Sequence, residues 1–257
     1  MSERNGYEPG TPSWVDLSTP DPPAAKRFYG ALFGWEAEDA GPPEETGGYG
    51  MFKLRGKLIA GIGPLMDENQ PAVWSTYVST DDADAVAARA RDAGGQVIVE
   101  PMQVMDAGRM AFVMHPAGGA VGLWEPGRHR GAELVNEPGA LTWNQLHTSD
   151  QDGAAAFYGA VFGWTRADFG GMSVFNLGEA GIGGLAPMPQ AVPPGMPPFW
   201  MTVFGNEDTD ATAAKAAELG GQVLSPPSDI PDVGRFAVLA DPQGVTFGVI
   251  TLTPAST

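Results

Sequence analysis

Strand-like and helix-like spacings of apolar residues alternate along this chain, and the series runs four times. Trp14 to Thr19 reads as a short strand, with Trp14, Asp16 and Ser18 sharing one face. Asp21-Pro22-Pro23 then supplies a helix cap and two prolines that a first helical turn tolerates. Ala25, Phe28, Tyr29, Leu32 and Phe33 fall on one helical stripe, which Gly34 can close in a left-handed turn. Strand-like runs follow at 35–39, 48–55 and 57–65. The order then repeats: a strand over 73–80, Asp81-Asp82 as a cap, an Ala-rich helix to Asp92 and Gly94-Gly95 as its stop. Strands near 96–104, 109–115 and 120–125 complete it.

The second half restates the first. Phe28-Tyr29-Gly30-Ala31-Leu32-Phe33-Gly34-Trp35 returns as Phe157-Tyr158-Gly159-Ala160-Val161-Phe162-Gly163-Trp164, and Gly94-Gly95-Gln96-Val97 as Gly220-Gly221-Gln222-Val223. Trp14 matches Trp143, Trp74 matches Trp200, and Gly108-Arg109 matches Gly234-Arg235. His115-Pro116 with Gly118 matches Asp241-Pro242 with Gly244. Landmarks kept in order over this length mark a duplication. The expected class is α+β: four β-α-β-β-β modules, about 12–66, 72–126, 141–187 and 198–252, in two tandem domains. The first domain spans 1–126, a linker 127–140, and the second domain 141–257. Within the second, 187–198 holds Pro187, Pro189, Pro193, Pro194, Pro197 and Pro198, which suits a stiff connection between modules.

Composition narrows the partners. A net charge of −17 over 257 residues repels phosphate backbones and anionic lipid, so neither nucleic acid nor membrane is an expected partner. The chain has no Cys, which excludes disulfides, thiolate nucleophiles and cysteine-bound metals. Met1 to Gly6 lacks a basic-then-apolar leader, and no apolar run approaches about 18 residues. A soluble, cytoplasmic protein is expected.

The repeated module, with Phe-Tyr at its helix centre, Gly-Gly after the second helix and Asp-Pro-x-Gly before the last strand, resembles the vicinal oxygen chelate superfamily. That superfamily contains glyoxalase I, bleomycin-resistance proteins, fosfomycin-resistance enzymes and extradiol dioxygenases. The likeness covers about residues 12–252, and the subgroup it resembles most is the two-domain actinobacterial type labelled glyoxalase-like or hydroxylase. The resemblance implies half-barrels that wrap ligand clefts. It also implies, where a metal binds, His, Gln or Glu on a module's first strand and Glu on its last. In fused relatives the modules pair across halves, first with fourth and second with third. That pairing would set Trp143, Gln145 and His147 beside Ser75, Tyr77, Gly122 and Trp124.

Carried onto this chain, the ligand positions fall at Trp14 and Trp143, at Ser75 and Met201, and at Gly122 and Gly248. None offers a good metal donor, and the chain has only three His. No metal and no cofactor are therefore expected. His147 lies on a first strand and is the one side chain there suited to proton transfer near neutral pH, so it is the candidate catalytic residue. His129 stands in a linker charge run between Arg128 and Arg130, and His115 at a turn where a side chain is expected to cap. Glycine in place of Glu, and tryptophan gained, turn a chelating floor into an apolar one suited to a flat ligand. The expected ligand-binding residues are Trp14, Asp16, Ser75, Tyr77, Gly122, Trp124, Trp143, Gln145, His147, Met201 and Gly248. For Trp14 and Trp143 a core role and a pocket role stay open.

Three readings of function follow. The first is metal-independent binding, with or without hydroxylase-like or proton-transfer chemistry, of a small aromatic or hydrophobic molecule in a cleft between modules. The second is a regulatory member that lost catalysis and binds a protein partner such as a kinase. The third is a metal-dependent glyoxalase-like lyase or dioxygenase with unusual ligands such as His147, Gln145, Asp16 and Glu125. Whether the chain is an enzyme, and whether it is a monomer or a homodimer, stays open at this stage.

Overall fold

The computed structural model describes residues 2–67, 70–169, 172–189 and 195–253. The first module comprises β1 (Pro12–Thr19), α1 (Pro22–Phe33), β2 (Glu36–Asp39), a short α2 (Pro43–Thr46), β3 (Gly50–Leu54) and β4 (Lys57–Pro64). The second has β5 (Val73–Ser79), α3 (Ala83–Asp92), β6 (Gln96–Val104), β7 (Gly108–His115) and β8 (Gly118–Pro126). The third has β9 (Leu141–His147), α4 (Gln151–Phe162), β10 (Thr165–Phe169), β11 (Met172–Leu177) and β12 (Ala180–Ala186). The fourth has β13 (Phe199–Gly205), α5 (Thr209–Glu218), β14 (Gln222–Ile230), β15 (Gly234–Ala240) and β16 (Thr246–Leu252). The four-module α+β architecture is as the sequence implies, and α2 is an addition to it. No strand occupies 187–189 or 195–198 of the proline-rich connection, and 190–194 lie outside the described residues.

The local signals act as their chemistry requires. Asp21 caps α1 by accepting from the Ala24 amide at 3.0 Å, and Gly34 ends the helix at φ 76°. Asp150 and Gly163 do the same for α4.

Each half forms one eight-stranded sheet, in the order β2-β3-β4-β1-β5-β8-β7-β6 and β10-β11-β12-β9-β13-β16-β15-β14. β1 runs antiparallel to β5, with Asp16 opposite Ser75, and β9 antiparallel to β13, with Gln145 opposite Met201. This corrects the expected pairing across halves. Trp143, Gln145 and His147 do not stand beside Ser75, Tyr77, Gly122 and Trp124, because consecutive modules joined by a short connection pair with each other.

Exchange between the halves occurs instead in the helix layer. One buried cluster joins α1 to the fourth module: Tyr29 bonds Asp241 Oδ2 at 3.2 Å, and the Trp35 ring meets Phe204 at 5.1 Å. The other joins the second module to α4: the Tyr158 hydroxyl donates to the Gly119 carbonyl at 2.7 Å, and Phe157 packs on His115. The helix faces are thus shared across the duplication, while each concave sheet face belongs to one half. No helix among the described residues is long and apolar enough to cross a membrane.

Candidate functional site

The two concave faces are built on one register. Gly61 lies beside Asp16 as Gly184 lies beside Gln145, and Tyr77 beside Gly122 as Val203 beside Gly248. Counting along β3 and β11 from these anchors sets Tyr49 against Met172, and counting along β8 and β16 sets Trp124 against Ile250.

Around Asp16 the N-terminal cleft is filled by its own side chains, and the space left on that face, about 420 Å³, lies outward along β2–β4 among Met51, Leu58, Lys53, Glu38, Asp39 and Glu133. Trp14 is 3% exposed, and its Nε1–H donates to the Tyr49 hydroxyl at 3.1 Å. Tyr49 and Tyr77 both donate to Asp16 Oδ2, at 3.3 and 2.9 Å, and the Ser75 hydroxyl joins them. Burial pushes the Asp16 carboxyl up from 3.8 to about 6, against the lowering effect of these three donors. Gly61 is where a side chain cannot be: a Cβ there would overlap the Tyr49 hydroxyl. A Cβ at Gly122 would overlap the Tyr77 ring.

His129 completes the filling. Its ring lies edge-on to Trp14, with centroids 4.3 Å apart, and 5.5 Å from Trp124, whose Nε1–H donates to the His129 carbonyl at 2.8 Å. This corrects the expectation of a solvated linker residue. Burial pushes its imidazole down to about 4, opposed by the Glu133 charge, and its buried Nε2 has no hydrogen-bond partner. Arg128, its neighbour, does lie in solvent and pairs with Asp106 at 2.7 Å. His115 caps its turn as expected, Nδ1 accepting from the Ala117 amide at 3.1 Å.

The C-terminal cleft is open. A cavity of about 430 Å³ is walled by Trp143, Val174, Val203, Phe236 and Ile250, with Asn136, Thr142, Gln145 and Ser173 as its polar groups. No charged side chain lines it among the described residues. Aliphatic side chains at the positions of Tyr49, Tyr77 and Trp124 make the space. Of the expected site residues, Trp143 and Gln145 line this cavity, while Met201 is buried in the adjoining wall. Gly248 sits beneath Phe236 and Val203, either of which a Cβ would crowd at 2.8 and 2.9 Å. Sequence reasoning missed Val174, Val203, Phe236 and Ile250, which look like ordinary strand residues until the sheet curls.

His147 is buried beside the cavity, stacked on Phe199 with centroids 5.1 Å apart. Its Nδ1 lies 3.1 Å from the Pro187 carbonyl, which can only accept, so Nδ1 carries the proton. Its Nε2 then accepts from the Gln145 amide nitrogen at 3.2 Å. Burial lowers the imidazole pKa, with the Pro187 carbonyl opposing, so the ring is neutral at pH 7.

The donors do not suit the divalent metal associated with this fold. Asp16 is tied to two phenols, both His147 nitrogens are engaged, and Glu125 accepts from the Ala83 amide while pairing with Arg109. Among the described residues no group of three or more His, Asp or Glu is placed to hold an ion.

Comparison with known proteins supplies the class. The family model of the Glyoxalase/Bleomycin resistance protein/Dioxygenase superfamily matches residues 11–123 and 140–249, and the chain belongs to that superfamily. It is 47% identical over 262 residues to "Putative glyoxylase CFP32" of Mycobacterium bovis, covering 99% of each chain. It is 39% identical to the "Anthracycline biosynthesis protein DnrV" of Streptomyces peucetius, covering 96% of this chain and 94% of that one. The Mn(II)-bound glyoxalase from Novosphingobium aromaticivorans shares the fold, with a TM-score of 0.66 at 18% identity over 98% of this chain and 83% of that one.

Proposed function

We propose that the protein binds a flat, hydrophobic, aromatic small molecule in its C-terminal cleft, and does so without a metal. The contrast between the two clefts carries this reading: on one register, one is packed around Asp16 and keeps only an outer space lined by Glu38, Asp39, Lys53 and Glu133, and the other holds an uncharged, largely apolar cavity of about 430 Å³. The relatives named for anthracycline biosynthesis, at 39% and 38% identity, favour a polyketide-like aromatic as the ligand. Trp143 and Phe236 offer aromatic surface to such a molecule. Gln145, Thr142 and Asn136 offer polar contacts to its edge.

This chain's residues bind and orient; the proton-transfer role expected of His147 would first have to break one of its two hydrogen bonds. The test is calorimetric titration with 1,4-dihydroxyanthraquinone. One site per chain is expected, and a Val203→Tyr/Ile250→Trp variant, which rebuilds the filling of the other half, should remove it. Binding undiminished in that variant, or no binding in the parent protein, overturns the reading.

A further inference from the structure

The polar floor of the open cleft has a direction. A Cβ on Gly184 would stand 2.8 Å from Trp143 Nε1 and 2.9 Å from Gln145 Oε1, so an indole nitrogen and an amide oxygen lie side by side over one glycine of the cavity wall. Neither atom has a hydrogen-bond partner among the described residues. In the other half the corresponding indole is spent on Tyr49.

The indole can only donate. An amide could in principle turn either end to a ligand, but Gln145 is held. The Pro187 carbonyl takes the His147 Nδ1–H, Nε2 is thereby an acceptor, and it fixes the Gln145 NH2 on its own side. Gln145 Oε1 is left to the cavity as an acceptor.

Resting on the aromatic-binding reading above, we infer that the cleft recognises an aromatic ligand whose edge carries a hydrogen-bond acceptor beside a donor, such as a primary carboxamide or a lactam. His147 is the positioning residue that sets this polarity. The ligand acceptor takes the Trp143 N–H, and the ligand donor reaches Gln145 Oε1.

Three probes of nearly one shape test it by calorimetry. They are 2-naphthamide, 2-acetylnaphthalene, in which methyl replaces NH2, and 2-isopropenylnaphthalene, which lacks both polar atoms. Leaving a buried acceptor unpaired costs roughly tenfold in affinity, so 2-naphthamide should bind about tenfold or more tighter than 2-acetylnaphthalene. His147→Phe keeps the stack on Phe199 and frees the Gln145 amide to turn. That variant should cut the preference to about twofold while leaving 2-isopropenylnaphthalene affinity unchanged, an outcome that a general loosening of the cleft would not give. Equal binding of all three probes to the parent protein overturns this inference and leaves the aromatic-binding reading standing. A preference that persists in His147→Phe overturns the positioning role. Absence of binding by every probe and by the anthraquinone overturns both.

Discussion

The N-terminal and C-terminal clefts share strands, register and even their first-strand tryptophan, yet at its centre one is core and the other is space. The difference lies in a few side chains. Tyr49, Tyr77 and Trp124 reach over the first sheet, and His129 enters from the linker. The second sheet has Met172, Val203 and Ile250 at the three matching positions. Duplication thus supplied two scaffolds, and side-chain volume decided which of them kept a cavity. The shared helix layer ties the stability of each half to the other, so the filled cleft contributes to the rigidity of the open one.

The two tryptophans give the largest contrast. Trp14→Ala removes a 3%-exposed indole and its bond to Tyr49 and should cost about 3–5 kcal/mol in urea unfolding. Trp143→Ala, at the matching position on the cavity wall, should cost about 1 kcal/mol or less, since open space already borders the ring. Its effect should appear in binding of the anthraquinone. Comparable stability losses at the two sites would break the distinction between filled and open.

Asp16 supplies the next contrast, because Gln145 stands at the same register without a charge. Folded Asp16 holds its proton up to about pH 6, against 3.8 unfolded. Its contribution to stability is therefore full below about pH 3.8 and is lost as pH rises through 6. At pH 7.5 the buried carboxylate costs about 3 kcal/mol by this shift. Asp16→Asn keeps an acceptor for Tyr49, Tyr77 and Ser75, so it should be more stable than the parent at pH 7.5 by up to that amount. The gap should close near pH 4. Paired unfolding curves at the two pH values check this, and a less stable variant at pH 7.5 would show that the charge is compensated in the native state.

Much of the architecture was legible because it rests on backbone requirements. A left-handed closing glycine, an Asp cap and a Phe-Tyr helix core leave the same letters wherever the module recurs, as Gly34 and Gly163 or Asp21 and Asp150 do. The cleft contents were less legible because they depend on which residues meet through space. Tyr49 stands at the start of the 48–55 run, where nothing in the spacing says which ring or carboxylate it will meet, and His129 sits between two arginines, where a linker reading is natural. One signal was available: Gly61 and Gly63 on a cleft-facing strand imply a large group lying on them, and the ring above them is that of Tyr49. The pairing of modules across halves was misplaced for a related reason. It exists, but in the helix cores, where hydrophobic contact is chosen by shape and not by chain order.

Those glycines provide the finest test. Gly61 and Gly184 occupy the same register position, opposite Asp16 and Gln145. A methyl on Gly61 runs into the Tyr49 hydroxyl and comes within 2.8 Å of Asp16 Cβ. Both neighbours are held, one by the Trp14–Tyr49–Asp16 chain of hydrogen bonds and the other by its own strand. Relief requires the filled cleft to shift, and overpacking of that kind costs about 1–3 kcal/mol. A methyl on Gly184 meets the Trp143 indole at 2.8 Å and the Gln145 amide oxygen at 2.9 Å; the indole borders the cavity and can give way into it, and the amide oxygen needs to move only a few tenths of an ångström, which its bond to His147 tolerates. Gly184→Ala should therefore change stability by less than about 1 kcal/mol. It stands against both the Trp143 donor and the Gln145 acceptor, so 2-naphthamide should lose affinity far more than 2-isopropenylnaphthalene. Thermal unfolding of both variants, with the probe titrations on Gly184→Ala, reads the whole contrast. A Gly61→Ala protein as stable as the parent would mean that Tyr49 moves freely, and that the N-terminal cleft is closed by a mobile side chain and not by a packed core.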